Sequence, residues 1–252
     1  MTLSYRVAVA AFALFSTIQV QAAELPALLD VALARGEAAN SIRWAFTQNF
    51  ENANADLTMR FSPAETSGTW SLIAPTYLSR QEQREYTAMS DLVDDPDPDS
   101  DLTYEQLRTA IGDQELVVLE DTATQVVYTF APLPWDDVEP DEEAFIEHMQ
   151  AEITVDKAGA YISHIRMYAP EPFRAMVVAR IDSFEQEMIF APEPRTGLPL
   201  MVSFTQSIQG RAVMQRINRW RNESYSEFAP QGDYARAASC ALECNTEYLS
   251  AQ

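Results

Sequence analysis

Apolar and polar residues alternate with a period of two along several short segments, and this pattern constrains the fold more than any other feature of the chain. Such alternation is typical of β-strands that bury one face of a sheet. It is clearest in residues 42–50, 57–61 and 70–72, which predict three strands of an antiparallel meander. One face of this meander would carry eight large apolar residues: Trp44, Phe46, Phe50, Leu57, Met59, Phe61, Trp70 and Leu72.

The remaining chain continues the strand pattern, with short helices between strands. Helices are predicted at residues 25–37, 78–92, 103–111 and 144–149, and the first should end near Gly36. A tight turn is predicted at Gln209 and Gly210. Later strands are predicted over residues 117–119, 126–130, 153–155, 161–168, 174–190, 200–208 and 211–221. Since no Gly/Ser linker or internal repeat divides the chain, we predict one mainly β (α+β) domain of about ten to eleven antiparallel strands with a few covering helices.

The charge of the chain excludes some classes of partner. Its 252 residues include 38 Asp and Glu against 17 Lys and Arg, which gives a formal net charge of −21. Phosphate contacts need a concentrated positive surface, so we predict no nucleic-acid partner. Docking on anionic lipid head groups is disfavoured for the same reason. Hydrophobic residues make up 47% of the chain, which is enough for an ordinary core and argues against disorder.

Residues 1–23 have the features of a secretory signal peptide. Arg6 supplies a positive charge, residues 7–18 form an apolar run, and Ala22 and Ala23 are small residues suited to cleavage. The alternative is a membrane anchor, but the apolar run is too short to cross about 30 Å of hydrocarbon. We therefore predict a soluble protein outside the cytoplasm, cleaved near Ala23.

Cys240 and Cys244 stand four residues apart near the C-terminus. In a helix their Cα atoms would lie about 6 Å apart, which is within the range of a disulfide. We predict a structural disulfide that pins a terminal turn, with free thiols and a redox or metal-binding pair as the alternatives. Redox pairs usually have two intervening residues, and a zinc site needs further ligands. The two histidines, His148 and His164, are far away in sequence.

Motifs of catalysis are missing from the sequence. It contains no Gly-x-Ser-x-Gly elbow, no phosphate-binding glycine loop and no His-Glu-x-x-His. His164 lies in a strand pattern, where a structural role is the more common one. We predict no catalytic residues, no cofactor and no enzymatic activity; a cleft that joins His164 to a carboxylate and a serine would revive the enzyme hypothesis.

Two acidic segments, residues 94–101 and 136–143, are predicted to be solvated loops. In the first segment Asp97, Asp99 and Asp101 stand at alternate positions, which is the spacing of the first three oxygen ligands of an EF-hand loop. Leu102 and Arg108, however, occupy the positions that require a turn glycine and a bidentate Glu. We therefore predict no metal site, with weak calcium binding as the alternative.

Several short stretches together resemble the LolA-like superfamily of periplasmic carriers that sort outer-membrane lipoproteins. The first is Phe46-Thr-Gln48, on a strand that follows an N-terminal helix. The others are Arg60-Phe-Ser-Pro63, Trp70, Ala74-Pro75, Gly197-Leu-Pro-Leu200, Gln209-Gly-Arg-Ala212 and Tyr225-Ser-Glu-Phe228. The resemblance follows the strand order across the chain. It implies an incomplete antiparallel β-barrel whose helices form a lid over an apolar cavity, which in the best-known members holds lipoprotein acyl chains.

The resemblance implies a single half-barrel domain over residues 24–252, located in the periplasm, with a Cys-containing extension from about residue 229. The extension and the acidic loops have no counterpart in the family pattern. The eight apolar residues of the meander are then candidates for the lipid cavity, or they form an ordinary filled core. We predict a monomeric carrier of lipid or lipoprotein acyl chains that works with a membrane-bound partner protein. The alternative is a protein-interaction or sensor module of the same fold without lipid cargo.

Overall fold

The structure is a computed structural model that describes most of the chain beyond the predicted signal peptide. The described residues are 25–63, 68–91, 104–134, 140–176, 179–213 and 215–231. The predicted signal peptide, the acidic residues 94–101 and the pair Cys240 and Cys244 lie outside them, as do residues 136–139 of the second acidic segment.

Four helices and eleven strands occur within these ranges. The helices are α1 (Ala27–Asn40), α2 (Arg80–Asp91), α3 (Tyr104–Ile111) and α4 (Pro140–Ile146). The strands are β1 (Trp44–Asn52), β2 (Asp56–Pro63), β3 (Gly68–Ala74), β4 (Val117–Asp121), β5 (Gln125–Phe130), β6 (Gln150–Asp156), β7 (Tyr161–Tyr168), β8 (Phe173–Met176), β9 (Ala179–Pro192), β10 (Pro199–Ala212) and β11 (Gln215–Pro230). None of the described helices combines the length and the apolar character that crossing a membrane requires.

All eleven strands belong to one antiparallel sheet that does not close. Its order is β3-β2-β1-β11-β10-β9-β7-β6-β5-β4, and β8 pairs with β9 off this path. The first and last of these strands, β1 and β11, are neighbours in the interior of the sheet. The edges are β3 and β4. This arrangement confirms the predicted mainly β fold, an incomplete antiparallel barrel with a few helices.

Helices α1 and α3 cover one face of the sheet, here called the helix-bearing face. Leu29 and Leu33 of α1, with Ile111 of α3, are fully buried against it. The strand registers align one row of side chains across eight strands of this face, and the row reads Leu57, Phe50, Glu223, Phe204, Met188, Ile165, Ile153 and Tyr128. Seven of these eight side chains are apolar or aromatic, and Glu223 is the exception.

The opposite face of the sheet carries ion pairs instead. Arg166 lies 2.6 Å from Glu185 and 3.7 Å from Glu152, and Arg60 lies 3.0 Å from Glu227. Successive side chains of a strand point to opposite faces, so a sheet covered by helices on one side exposes polar residues on the other.

The prediction that the first helix ends near Gly36 is wrong, because α1 continues to Asn40. Gly36 is buried under Tyr104 of α3: a Cβ added there would lie 2.1 Å from a carbon of the tyrosine ring. The glycine therefore lets two helices approach closely instead of terminating one of them.

The predicted turn at Gln209 and Gly210 is also wrong, because β10 extends to Ala212 and the chain turns at Val213. Gly210 lies at an irregularity in the register with β9, where a Cβ would come within 2.3 Å of the Arg180 carbonyl oxygen. A glycine at such a close approach of two backbones is easily mistaken for a turn residue.

Two further boundaries differ from the sequence-based prediction. The long segment predicted at residues 174–190 contains two strands, β8 and β9, which pair with each other. Helix α4 spans Pro140–Ile146, so it begins inside the predicted acidic loop and ends before residue 149. Pro140 at the first helical position is compatible with this start, since its missing N–H would have no partner there.

Candidate functional site

The eight apolar residues of the predicted meander share one face, as expected. Phe46 lies opposite Phe61, and Phe61 lies opposite Trp70. In the next rows, Met59 lies opposite Leu72, and Phe50 lies opposite Leu57. Directly opposite residues of neighbouring strands point the same way, so these rows form a continuous apolar surface on the helix-bearing face.

Burial divides these eight residues into two groups. Trp44, Phe50, Leu57 and Met59 are buried, whereas Phe46, Phe61, Trp70 and Leu72 are only partly buried. Helix α2 accounts for part of the burial, because Tyr86 and Met89 pack against the cluster that contains Leu57 and Met59. The buried group therefore belongs to the filled core, and the partly buried group keeps part of its surface exposed to solvent.

An aromatic cluster surrounds Phe46, and it consists of Phe46, Phe61, Trp70, Tyr225 and Phe228. The distance from the Phe46 ring centroid is 5.1 Å to Phe61, 5.6 Å to Trp70, 5.6 Å to Tyr225 and 6.1 Å to Phe228. All five residues are partly exposed. These separations lie within the range of favourable ring contacts, so the five rings form one connected aromatic surface.

Two members of the aromatic cluster, Tyr225 and Phe228, were not predicted as site residues. Both come from β11, which pairs with β1 and places Tyr225 opposite Gln48. The stretch Tyr225-Ser-Glu-Phe228 contributed to the family resemblance, but only the pairing of the first and last strands places it beside Phe46.

A polar patch lies next to the aromatic cluster on the same face, and it consists of Gln48, Arg221, Glu223 and Tyr225. The Glu223 side chain is completely buried. Its carboxylate accepts hydrogen bonds from Gln48 Nε2 at 2.8 Å, from Arg221 Nε and from the Tyr225 hydroxyl. A buried carboxylate is tolerated only when such donors and an opposite charge replace water, and here all three donors belong to the patch.

Arg221 connects the polar patch to the neighbouring aromatic side chains. Its guanidinium carbon lies 5.1 Å from the centroid of the Phe204 ring and 5.8 Å from that of Phe50, both within the range of cation–π contacts. Gln206 of β10 lies opposite Arg221, and Gln186 of β9 lies opposite Gln206. The side chains of the two glutamines are joined by a 3.0 Å hydrogen bond. Polar groups thus extend across three strands of an otherwise apolar face.

Helix α2 borders the site, and a capping box fixes its first turn. The backbone N–H of Ser79 donates to Glu82 Oε2 at 2.7 Å, and the backbone N–H of Glu82 donates to Ser79 Oγ at 3.2 Å. The backbone and side-chain hydrogen bonds with Ser79 lower the pKa of Glu82. Further along the helix, the Tyr86 hydroxyl donates to the backbone carbonyl of Trp70 at 3.3 Å. This contact holds α2 against the edge of the aromatic cluster.

On the other side of the site, α1 and α3 are joined by Arg108. Its guanidinium lies 2.7 Å from Asp30 and 2.9 Å from Glu37. The hydrogen bond with Asp30 raises the pKa of Arg108, and Glu37 adds to this effect against the opposing effect of partial burial. The residues are partly exposed, so the pairing orients the helices more than it stabilises them.

A groove with a volume of about 510 Å³ borders the aromatic cluster at Phe228. Glu193 and Arg195 of the β9–β10 loop form one wall of the groove. Glu193 is buried and accepts hydrogen bonds from Arg195 Nε at 2.8 Å and from the Thr196 backbone at 2.9 Å. Burial acts to raise the pKa of Glu193, but the hydrogen bonds from Arg195 and Thr196 outweigh burial and lower that pKa.

The two histidines lie apart from the aromatic cluster. His164 is on the opposite face of the sheet, with Nε2 4.0 Å from a Glu187 oxygen. The ring of His148 stacks on that of Phe173, with 4.5 Å between centroids. Across the described part of the chain, His, Asp and Glu side chains form no group of three or more that could hold a metal ion.

Comparison with known proteins adds no family assignment. No family model matches the chain, and neither a curated protein nor a solved structure matches it. The chemistry of the helix-bearing face is therefore the basis for inferring what this protein binds.

Proposed function

We propose that this protein binds the acyl chain of a lipid or lipoprotein on the aromatic cluster and carries it through the periplasm. The observation that carries this proposal is the connected surface of five partly exposed aromatic rings on the helix-bearing face. An exposed apolar surface of this kind marks a binding site more often than a structural one. Aromatic side chains offer large rigid contact areas to an alkyl chain.

The acidity of the chain determines how a lipid would reach this site. A net charge of −21 repels an anionic membrane surface, so the protein would not collect its ligand by lying on the bilayer. Loading would instead require a membrane-bound partner that presents the acyl chain to the cluster. A monomer is sufficient for this role, because all five rings come from one chain.

Helix α2 would act as the movable cover of the site. Its contacts with the sheet run through Tyr86 and Met89, which pack against the buried cluster that contains Leu57 and Met59, and through the hydrogen bond from the Tyr86 hydroxyl to the Trp70 carbonyl. A shift of α2 away from β3 would enlarge the apolar surface without breaking the pairing of any strands. An acyl chain could then extend from the aromatic cluster toward the residues that α2 now buries.

Lipid occupancy is the direct test of this proposal. We expect native mass spectrometry of protein purified from the periplasm to show adducts with lipid masses, and we expect the delipidated protein to take up a fluorescent fatty-acid probe. Absence of both co-purifying lipid and probe uptake would refute the proposal.

Matched variants can locate the binding surface. Phe61→Ala and Trp70→Ala should each weaken probe binding about tenfold, because each removes one wall of the aromatic cluster. Ile189→Ala is the control, since Ile189 is 45% exposed and lies on the opposite face of the sheet. Equal losses in all three variants would show that the probe does not bind at the cluster.

A protein-interaction module is the second candidate, and edge strand β4 favours it. Val117, Val118 and Leu119 are each more than half exposed, although they are consecutive apolar residues of a strand. An edge strand of this kind can pair with an extended segment of another protein. Glu115 and Glu120 flank the apolar residues, so a segment with basic residues would fit best. A Val118→Lys variant that still captures the same periplasmic partner as the unchanged protein would argue against this role.

A further inference from the structure

The polar patch is an unusual feature for a face that is meant to hold only alkyl chains. Glu223 is the third member of a row of eight whose other seven members are apolar or aromatic. A well-packed apolar residue at this position would be at least as stable as a buried ion pair of similar volume. The presence of the patch therefore suggests a role other than stability.

The charges within the patch compensate each other. Glu223 and Arg221 have opposite formal charges and are directly hydrogen bonded, while Gln48 and the Tyr225 hydroxyl are neutral. The patch as a whole thus carries no net charge. Selection by the patch would act through hydrogen-bond geometry rather than through the charge of a ligand.

Gln48 contributes both a donor and an acceptor to this network. Its Nε2 donates to the Glu223 carboxylate, and this contact fixes the orientation of the side-chain amide. Gln48 is only 3% exposed, and its buried Oε1 has no hydrogen-bond partner among the residues that the structure describes. A buried carbonyl oxygen without a donor is costly, and a ligand that supplied a donor would remove that cost.

The position of Gln48 suits the polar end of an acyl ligand. Gln48 is two residues from Phe46 along β1, so their side chains point to the same face about 7 Å apart. A chain that lay on the aromatic cluster could therefore place its first polar group beside Gln48. Nε2 of Gln48 and the Tyr225 hydroxyl are 3.5 Å apart, which keeps the patch and the cluster contiguous.

We propose that the polar patch is a head-group subsite that selects acyl chains carrying a neutral hydrogen-bond donor, either a hydroxyl or an amide N–H, next to the acyl group. This inference rests on the proposed acyl binding and specifies its ligand class. The donor binds Gln48 Oε1, and the Glu223 contact holds that oxygen in place. An acyl ester without a donor binds the aromatic cluster but leaves Gln48 unsatisfied.

Competition among ligands of equal chain length tests this selection. The bound fluorescent fatty-acid probe is displaced with decanoyl ethanolamide, with 1-monodecanoylglycerol or with methyl decanoate, which has no donor. We expect the first two ligands to displace the probe at concentrations about tenfold lower than methyl decanoate, the value of one buried hydrogen bond. This comparison uses the unaltered protein and does not depend on the folding of any variant.

A Gln48→Met variant then assigns the preference to the patch. Methionine keeps the length of the side chain and removes the acceptor, so the tenfold preference should fall to nearly onefold. Asn49→Ala is the control, because Asn49 is exposed on the opposite face and should leave the preference unchanged. Equal displacement by all three ligands in the unaltered protein, or a preference that survives in Gln48→Met, would overturn the subsite but leave acyl binding intact. Failure of the probe to bind at all would overturn both.

Discussion

Replacing Gly36 with alanine tests the close packing of α1 and α3. The new Cβ would lie 2.1 Å from Cε1 of Tyr104, whereas carbon atoms in contact prefer about 3.5–4.0 Å. The tyrosine ring would have to move by about 1.5 Å, yet Tyr104 is buried and contacts Phe190 at 5.6 Å between centroids. Overpacking of this kind costs about 1–3 kcal/mol, and the better helix propensity of alanine returns about 1 kcal/mol.

We therefore expect Gly36→Ala to lower the free energy of unfolding by up to about 2 kcal/mol and Tm by up to roughly 8 °C. The sign of the effect should reverse when Tyr104 is also changed to alanine, because only the helix propensity then remains. In that background Gly36→Ala should stabilise the protein by about 0.5–1 kcal/mol. Urea unfolding of the four proteins, followed by circular dichroism, measures this double-mutant cycle.

Two results would contradict this account. Gly36→Ala could stabilise the protein that retains Tyr104, which would mean that the ring yields without cost. It could also have the same effect in both backgrounds, which would mean that the helices do not touch at this point. The Tyr104 change alone should be costly, since its ring is buried, so the comparison is made within each background.

Three further predictions concern the sheet and its loop. Gly210→Ala should destabilise the protein by about 1–3 kcal/mol in urea unfolding, because its Cβ would come within 2.3 Å of the backbone oxygen of Arg180, which cannot rotate away; an unchanged midpoint would contradict this. Leu57→Ala should cost about 2–5 kcal/mol, since Leu57 is fully buried, and a loss below 1 kcal/mol would place it in an open cavity. Glu193→Gln should cost about 1–3 kcal/mol at pH 7, because it weakens the charged hydrogen bonds with Arg195.

The Glu193 prediction also has a defined pH dependence. The pKa of Glu193 in the folded protein is lower than the ordinary value of 4.5, so the carboxylate stabilises the fold fully above that value. This stabilisation is lost as the pH falls through the lowered pKa. The difference in stability between the unaltered protein and Glu193→Gln should therefore be constant from pH 7 to about 5 and shrink below about 4.5. A difference that grows on acidification would refute the assignment.

The sequence was sufficient for the architecture because strand periodicity is a local property. Alternation in residues 42–50 and 57–61 identified the correct buried face, and the register confirms that Phe46 and Phe61 lie opposite each other. Errors occurred where a local signal had a long-range cause. Gly36 resembles a helix end, but it makes room for the ring of Tyr104. Gly210 resembles a turn residue, but it makes room for the backbone of Arg180.

The candidate site was only partly accessible to sequence reasoning. Apolar identity does not distinguish Met59, which is fully buried, from Phe61, which remains partly exposed. That difference depends on where α2 lies, and its position is a matter of tertiary packing. The capping box of Ser79 and Glu82, by contrast, is a local signal that marks the start of α2.

The sequence by itself determined that this protein is an antiparallel β domain with one strongly apolar face, because side chains alternate along every strand regardless of what the strand pairs with. Only the tertiary structure decided which residues form the site. Gln48 and Glu223 are 175 positions apart, and they meet because the last strand pairs with the first. Such a pairing depends on the closure of a long loop and on the packing of the whole sheet, and no short stretch of sequence encodes it.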